Sequence, residues 1–116
     1  MSSAEVTRTE QVIDGLDAIV WTATIDSETV AHLDAHTSGL VLMVEVEDDH
    51  RGEGLARLLW DTASAERDLL HVPAWGRTPE GDIFAEAMGG DSMDDVEAAD
   101  ILGLDLDVVT GTAFTA

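Results

Sequence analysis

The chain has 116 residues, with 25 acidic side chains against 5 basic ones, a net charge of −20 and no cysteine. That length makes one small domain over residues 1–116 with a modest core, and its 45% apolar content belongs to a folded chain rather than a disordered acidic one. The charge disfavours direct binding to nucleic-acid phosphates, which needs a basic face, and the missing cysteine excludes disulfides, thiolate metal sites and a cysteine nucleophile.

Residues 1–5 read as a loose start without a basic-apolar leader pattern. Val6 to Ile13 predicts a first, weak strand, and Asp14-Gly15 a hairpin turn. Ile19, Trp21, Ala23 and Ile25 then alternate, the pattern of a second strand over Asp17 to Ile25. Glu28 to His36 fits two readings. Ser27 can cap a short helix with Val30 and Leu33 on its buried side, or the segment is a strand followed by a hairpin; Ser38-Gly39 ends it in either case. The apolar run Leu40 to Val46 predicts a strand buried on both faces. Acidic residues Glu47 to Asp49 end it, and Arg51-Gly52-Glu53-Gly54-Leu55-Ala56 follows as a glycine-rich turn. Leu55, Leu58, Leu59 and Thr62 recur at helical spacing, so a helix runs from this turn to about Arg67.

Leu69 to Trp75 predicts a further apolar strand, and two strands joined by such a helix imply a parallel crossover pair. Thr78-Pro79 starts another helix, with Ile83, Phe84, Ala87 and Met88 as its apolar stripe and Gly89-Gly90 as its stop. Ser92 and Asp95 have the spacing of a capping box for a helix ending near Gly103. Leu104, Leu106 and Val108 alternate with aspartates, as in an edge strand. The fold class that follows is α/β or α+β, with a mixed sheet and a parallel strand pair around the glycine-turn helix.

Strand, glycine turn and helix in that order describe a phosphate-binding turn. Glycines let a ligand approach the main chain, and the unpaired amides that open a helix favour an anion. The spacing Arg51-x-x-Gly54-x-Ala56 also resembles the acetyl-CoA loop of the GNAT N-acetyltransferase superfamily. Val44-Glu45-Val46 stands ahead of the arginine where that family has a Val-x-Val strand end, and the likeness covers about Leu40 to Gly90. It implies that the amides of Arg51, Gly52, Glu53, Gly54, Leu55 and Ala56 hold the pyrophosphate of acetyl-CoA. It implies too that the pantetheine arm pairs with the backbone of Val44, Glu45 and Val46. The implied reaction moves an acetyl group from acetyl-CoA to an amine acceptor.

Transfer to an amine needs a base, and Glu45 and Glu47 at the strand end are the candidates; each also fits as a plain surface carboxylate. Phe84 stands at the family's first aromatic position of the following helix. Ala85 falls where many members carry a tyrosine acid, and the chain has no tyrosine. Gly90 replaces the usual aromatic. These departures keep a second reading open: a non-catalytic binding domain on the same scaffold, dimerising through its sheet edge.

His32 and His36 would share one face of a helix, a spacing that can bind zinc, but no third ligand is near, and two solvated or packed histidines is the plainer reading. His50 reads as packing the turn and His71 as a polar position on a sheet. Trp21, Trp60 and Trp75 read as core, with substrate stacking open to Trp75. All five basic residues are arginine. So large an acidic excess repels itself at low salt and is screened at molar salt. The expectation is the cytoplasm of an extreme halophile, and the rival is an acidic protein that binds cations or basic partners. No apolar run is long enough to span a membrane.

Overall fold

The computed structural model describes residues 4–105. They form an α+β fold of four antiparallel strands and three α-helices. The chain divides into two compact units, Met1–Leu69 and Leu70–Ala116. Among the described residues no helix is long and apolar enough to cross a membrane.

The first unit holds β1 (Glu5–Ile13), β2 (Leu16–Ile25), β3 (Glu28–His36) and β4 (Val41–Val46), adjacent in chain order, then α1 (Leu55–Glu66). Asp14 and Gly15 join β1 to β2 at φ 50° and 81°, with Ile13 opposite Leu16. Two left-handed residues give a hairpin whose twist matches its strands. The next hairpin does the same without glycine: Asp26 and Ser27 sit at φ 52° and 69°, with Ile25 opposite Glu28. A serine held in that region is strained by about 1 kcal/mol. Ser27→Gly is expected to raise the unfolding free energy by about that amount. A denaturant midpoint that does not rise would show that the turn stores no such strain.

Residues 28–36 are therefore a strand and not the helix that Val30 and Leu33 also fit. β3 pairs with β2 on one side and β4 on the other, and Ala31, Leu33 and Ala35 alternate on its buried side. That side of the sheet also carries Ile19, Trp21 and Ala23, and α1 covers it with Leu55, Leu59, Trp60 and Ala63. The placement is fixed at the far end by Arg8, which lies opposite Trp21 in β1 and donates to Glu66 of α1 at 2.6 Å. This hydrogen bond raises the arginine's pKa further. Leu58, expected on the apolar stripe, is exposed, and Thr62 donates its hydroxyl to the Leu58 carbonyl at 2.7 Å.

β4 corrects a second expectation. As the last strand of the sheet it is not buried on both faces: Val41 is buried, but Met43 is 52% exposed and Glu45 is exposed. The mixed sheet with a parallel pair is not present among the described residues, because every strand pair is antiparallel. Leu69 to Trp75 forms no strand; an isolated parallel bridge links His71 to Ser92. Pro73 has no N–H for a ladder, and Ala74–Gly76 coils into a 3-10 turn.

The second unit contains α2 (Pro79–Met88) and α3 (Asp95–Leu102). Thr78 caps α2 by accepting from the Gly81 amide at 3.0 Å, and Gly89 ends it at φ 72°. The cap of α3 is Asp94, which accepts from the Val96 and Glu97 amides, and not Ser92. Ser92 instead accepts from Arg77 at 2.6 Å. Of the expected last strand, Leu104 and Asp105 are not in a strand, and Leu106 to Val108 lie outside the described residues.

Candidate functional site

The glycine turn is built by a sharp change of backbone direction. After β4, Glu47 donates its amide to the Val30 carbonyl at 2.9 Å, which ties the strand end to β3. Asp48–His50 forms one 3-10 turn, Arg51 is extended, and Gly52 and Gly54 follow at φ 81° and 79°. These glycines answer to backbone sign rather than to crowding, since a Cβ at either would meet nothing within 4 Å. Gly54 is also the N-cap of α1, and no side chain caps the helix. The Gly54 carbonyl receives the Leu58 amide at 3.0 Å. Leu55 and Ala56 thus open a helix whose first amides and dipole are available to an anion.

The side chains of the turn work against that anion. Arg51 directs its Nε to the Val46 carbonyl at 3.4 Å and to Asp48 at 3.3 Å, so it orders the loop. His50 Nδ1 pairs with Glu53 at 3.2 Å across the turn. Glu47, Asp48, Asp49 and Glu53 are all exposed here. An anionic ligand gains backbone hydrogen bonds and meets four carboxylates.

Val44, Glu45 and Val46 lie in β4, opposite Leu33, His32 and Ala31 of β3. This register creates a constellation that the sequence reading did not assemble. His32 Nδ1 is 2.8 Å from Asp34 Oδ1, and His32 Nε2 is 3.4 Å from Glu45 Oε2. The three side chains differ in exposure: 11% for Asp34, 29% for His32 and 67% for Glu45. A buried carboxylate thus fixes one ring nitrogen, and the other faces a carboxylate in water. Residues two apart on a strand share a face, as do directly opposed residues on paired strands. On a helix His32 and Asp34 would have pointed apart. The signal was available only to the strand reading of residues 28–36.

The same change of element separates His32 from His36. Four residues along a strand span about 13 Å, too far to share an ion. His36 Nδ1 instead meets the Ser38 hydroxyl at 2.8 Å. Among the described residues no group of three or more His, Asp or Glu is placed to hold a metal. Glu47, the other candidate base, is exposed beyond the strand end and has no side-chain partner among the described residues.

In the second unit, His71 is structural. It is buried, its Nε2 lies 2.6 Å from the Gly89 carbonyl, and its ring meets Phe84 edge-on at 5.9 Å. Arg77 closes the same unit with bonds to the Val72 carbonyl and to Asp82. Trp75 is half-buried and donates its indole N–H to Asp95 at 3.0 Å, whereas Trp21 and Trp60 are core. Compared with known proteins, the chain matches no family model, no curated protein and no solved structure.

Proposed function

We propose that the chain is a GNAT-like acyltransferase that binds acetyl-CoA at the glycine turn and passes the acetyl group to an amine. The observation that carries this reading is the geometry at the end of β4: an antiparallel meander, two left-handed glycines facing open space, and an uncapped helix behind them. In this reading the amides of residues 52–56 hold the pyrophosphate, since the Arg51 amide already donates to the Asp48 carbonyl at 3.3 Å, and the pantetheine arm follows Val44 to Val46. Arg51 acts by holding the loop.

A second reading is a binding domain on the same scaffold without catalysis. It is favoured by the wholly antiparallel sheet among the described residues and by the absence of tyrosine. Titration calorimetry with acetyl-CoA in molar potassium chloride, where the acidic surface is screened, tests the first. The wild type is expected to bind, Gly54→Val to lose binding at least about tenfold by filling the space the phosphates need, and Glu53→Ala to bind as well or better. Gly15→Val is the matched control, at φ 81° with nothing within 4 Å and away from the turn. A folded wild type without affinity moves the conclusion to the binding domain. Binding that survives Gly54→Val places the ligand elsewhere.

A further inference from the structure

We infer that His32, oriented by Asp34, is the base that deprotonates the acceptor, and that the acceptor is an alkyl ammonium. The inference rests on the acyltransferase reading and adds to it a residue, a role and a substrate class. The geometry is that of an oriented imidazole. Asp34 is buried, and its carboxylate accepts a hydrogen bond from Nδ1–H at 2.8 Å, which leaves Nε2 as the basic nitrogen. Nε2 points toward Glu45, whose carboxylate is 67% exposed on the strand that the thioester would follow. Glu45 alone, surrounded by water, has no fixed direction. His32 has one, because its ring is held from behind.

The charge around His32 selects the acceptor. On its side of the sheet the titratable groups of the described strands are Asp34 and His36 on β3, Glu45 on β4 and, farther off, Glu5 on β1 opposite Thr24. β2 places Thr22 opposite His32, and β1 places Thr7 opposite Thr22. The carboxylates draw a cation to Nε2, and an alkyl amine arrives as an ammonium that cannot attack until it loses a proton. That proton passes to Nε2. The freed amine attacks the thioester carbonyl, a C–N bond forms, and the C–S bond breaks. Coenzyme A leaves as the thiolate and takes the second nitrogen proton of the adduct. The imidazolium proton passes through Glu45 to solvent, and the products are amide, thiol and one proton.

The test uses release of the coenzyme A thiol, which a disulfide reagent reads without background because the chain has no cysteine. Acceptors are spermidine, a lysine peptide and an aromatic amine that is unprotonated at neutral pH. His32→Gln is expected to cut kcat about 100-fold or more for the alkyl ammonium acceptors and to change the aromatic amine little. The acid limb of the wild-type pH profile for spermidine should vanish with it. Asp34→Asn, which lets the ring carry its proton on Nε2, should reproduce the kcat loss while acetyl-CoA affinity holds. Equal losses for all acceptors, or an unchanged acid limb, would make the pair structural and overturn the inference. Acetyl-CoA binding with no transfer to any alkyl amine overturns the inference and leaves the coenzyme reading standing. No acetyl-CoA binding by the wild type removes both.

Discussion

Gly39→Ala is expected to lower the unfolding free energy by about 3 kcal/mol, the largest effect of a single methyl group in the first unit. Gly39 sits at φ 101° in the turn between β3 and β4, and a Cβ there would lie 2.1 Å from the backbone carbonyl oxygen of Asp68. The obstacle is main chain just beyond α1, so no rotamer change relieves it. The turn is also held closely: the His36 amide donates to Leu40 and the Gly39 amide to His36, both at 2.8 Å. Arg67 adds a bond to the Thr37 carbonyl at 2.7 Å. Either the turn or the exit of α1 must move. Gly15→Ala separates the two costs, because Gly15 shares the positive φ but meets nothing within 4 Å. It should lose only about 1 kcal/mol, the conformational share. Equal losses in urea denaturation would show that the contact with Asp68 is not rigid.

Gly39 also illustrates what a sequence conceals. Ser38-Gly39 reads as a turn, and it is one, but the close approach of Asp68 depends on how α1 lies on the sheet. The Asp14-Gly15 hairpin was legible because glycine announces a left-handed residue. The Asp26-Ser27 hairpin uses the same backbone with residues that seldom adopt it, so the local signal is weak. Without that hairpin, residues 28–36 could still be a helix. The strand form follows from pairing with β2 and β4, which no local pattern contains. Leu69 to Trp75 failed in the opposite way: the apolar run was plain, and Pro73 removed a donor that a central strand needs. The glycine turn and the start of α1 were legible because strand end, glycine signs and helical period agree within one short stretch. The His32–Asp34–Glu45 group was not, since it requires the register between two strands.

Molar salt is expected to stabilise the protein, raising Tm by about 10–20 °C between low and molar potassium chloride. Each of the five arginines already has a carboxylate at 4.0 Å or less, so the surplus of negative charge has no basic side chain left to meet. Two like charges about 10 Å apart in water repel by ~0.4 kcal/mol before screening. The Debye length falls from about 10 Å at 0.1 M to about 3 Å at 1 M. Each neighbouring pair then loses ~0.1 kcal/mol of repulsion, and a few tens of pairs give ~3 kcal/mol, more than the expanded unfolded chain gains. Salt also weakens the arginine pairs, but exposed pairs contribute about 0–1 kcal/mol each and only part of that is screened. Repulsion wins, and the sign is stabilisation. A general effect of salt on apolar burial would point the same way, so a charge variant separates them. Glu86 and Asp100 are exposed in the last turns of α2 and α3, where a cation also suits the helix dipole. Replacing both with lysine should raise Tm by several degrees at low salt and much less at molar salt. A gain of equal size under both conditions, or a wild-type Tm that does not rise with salt, would show that acidic self-repulsion does not limit this fold.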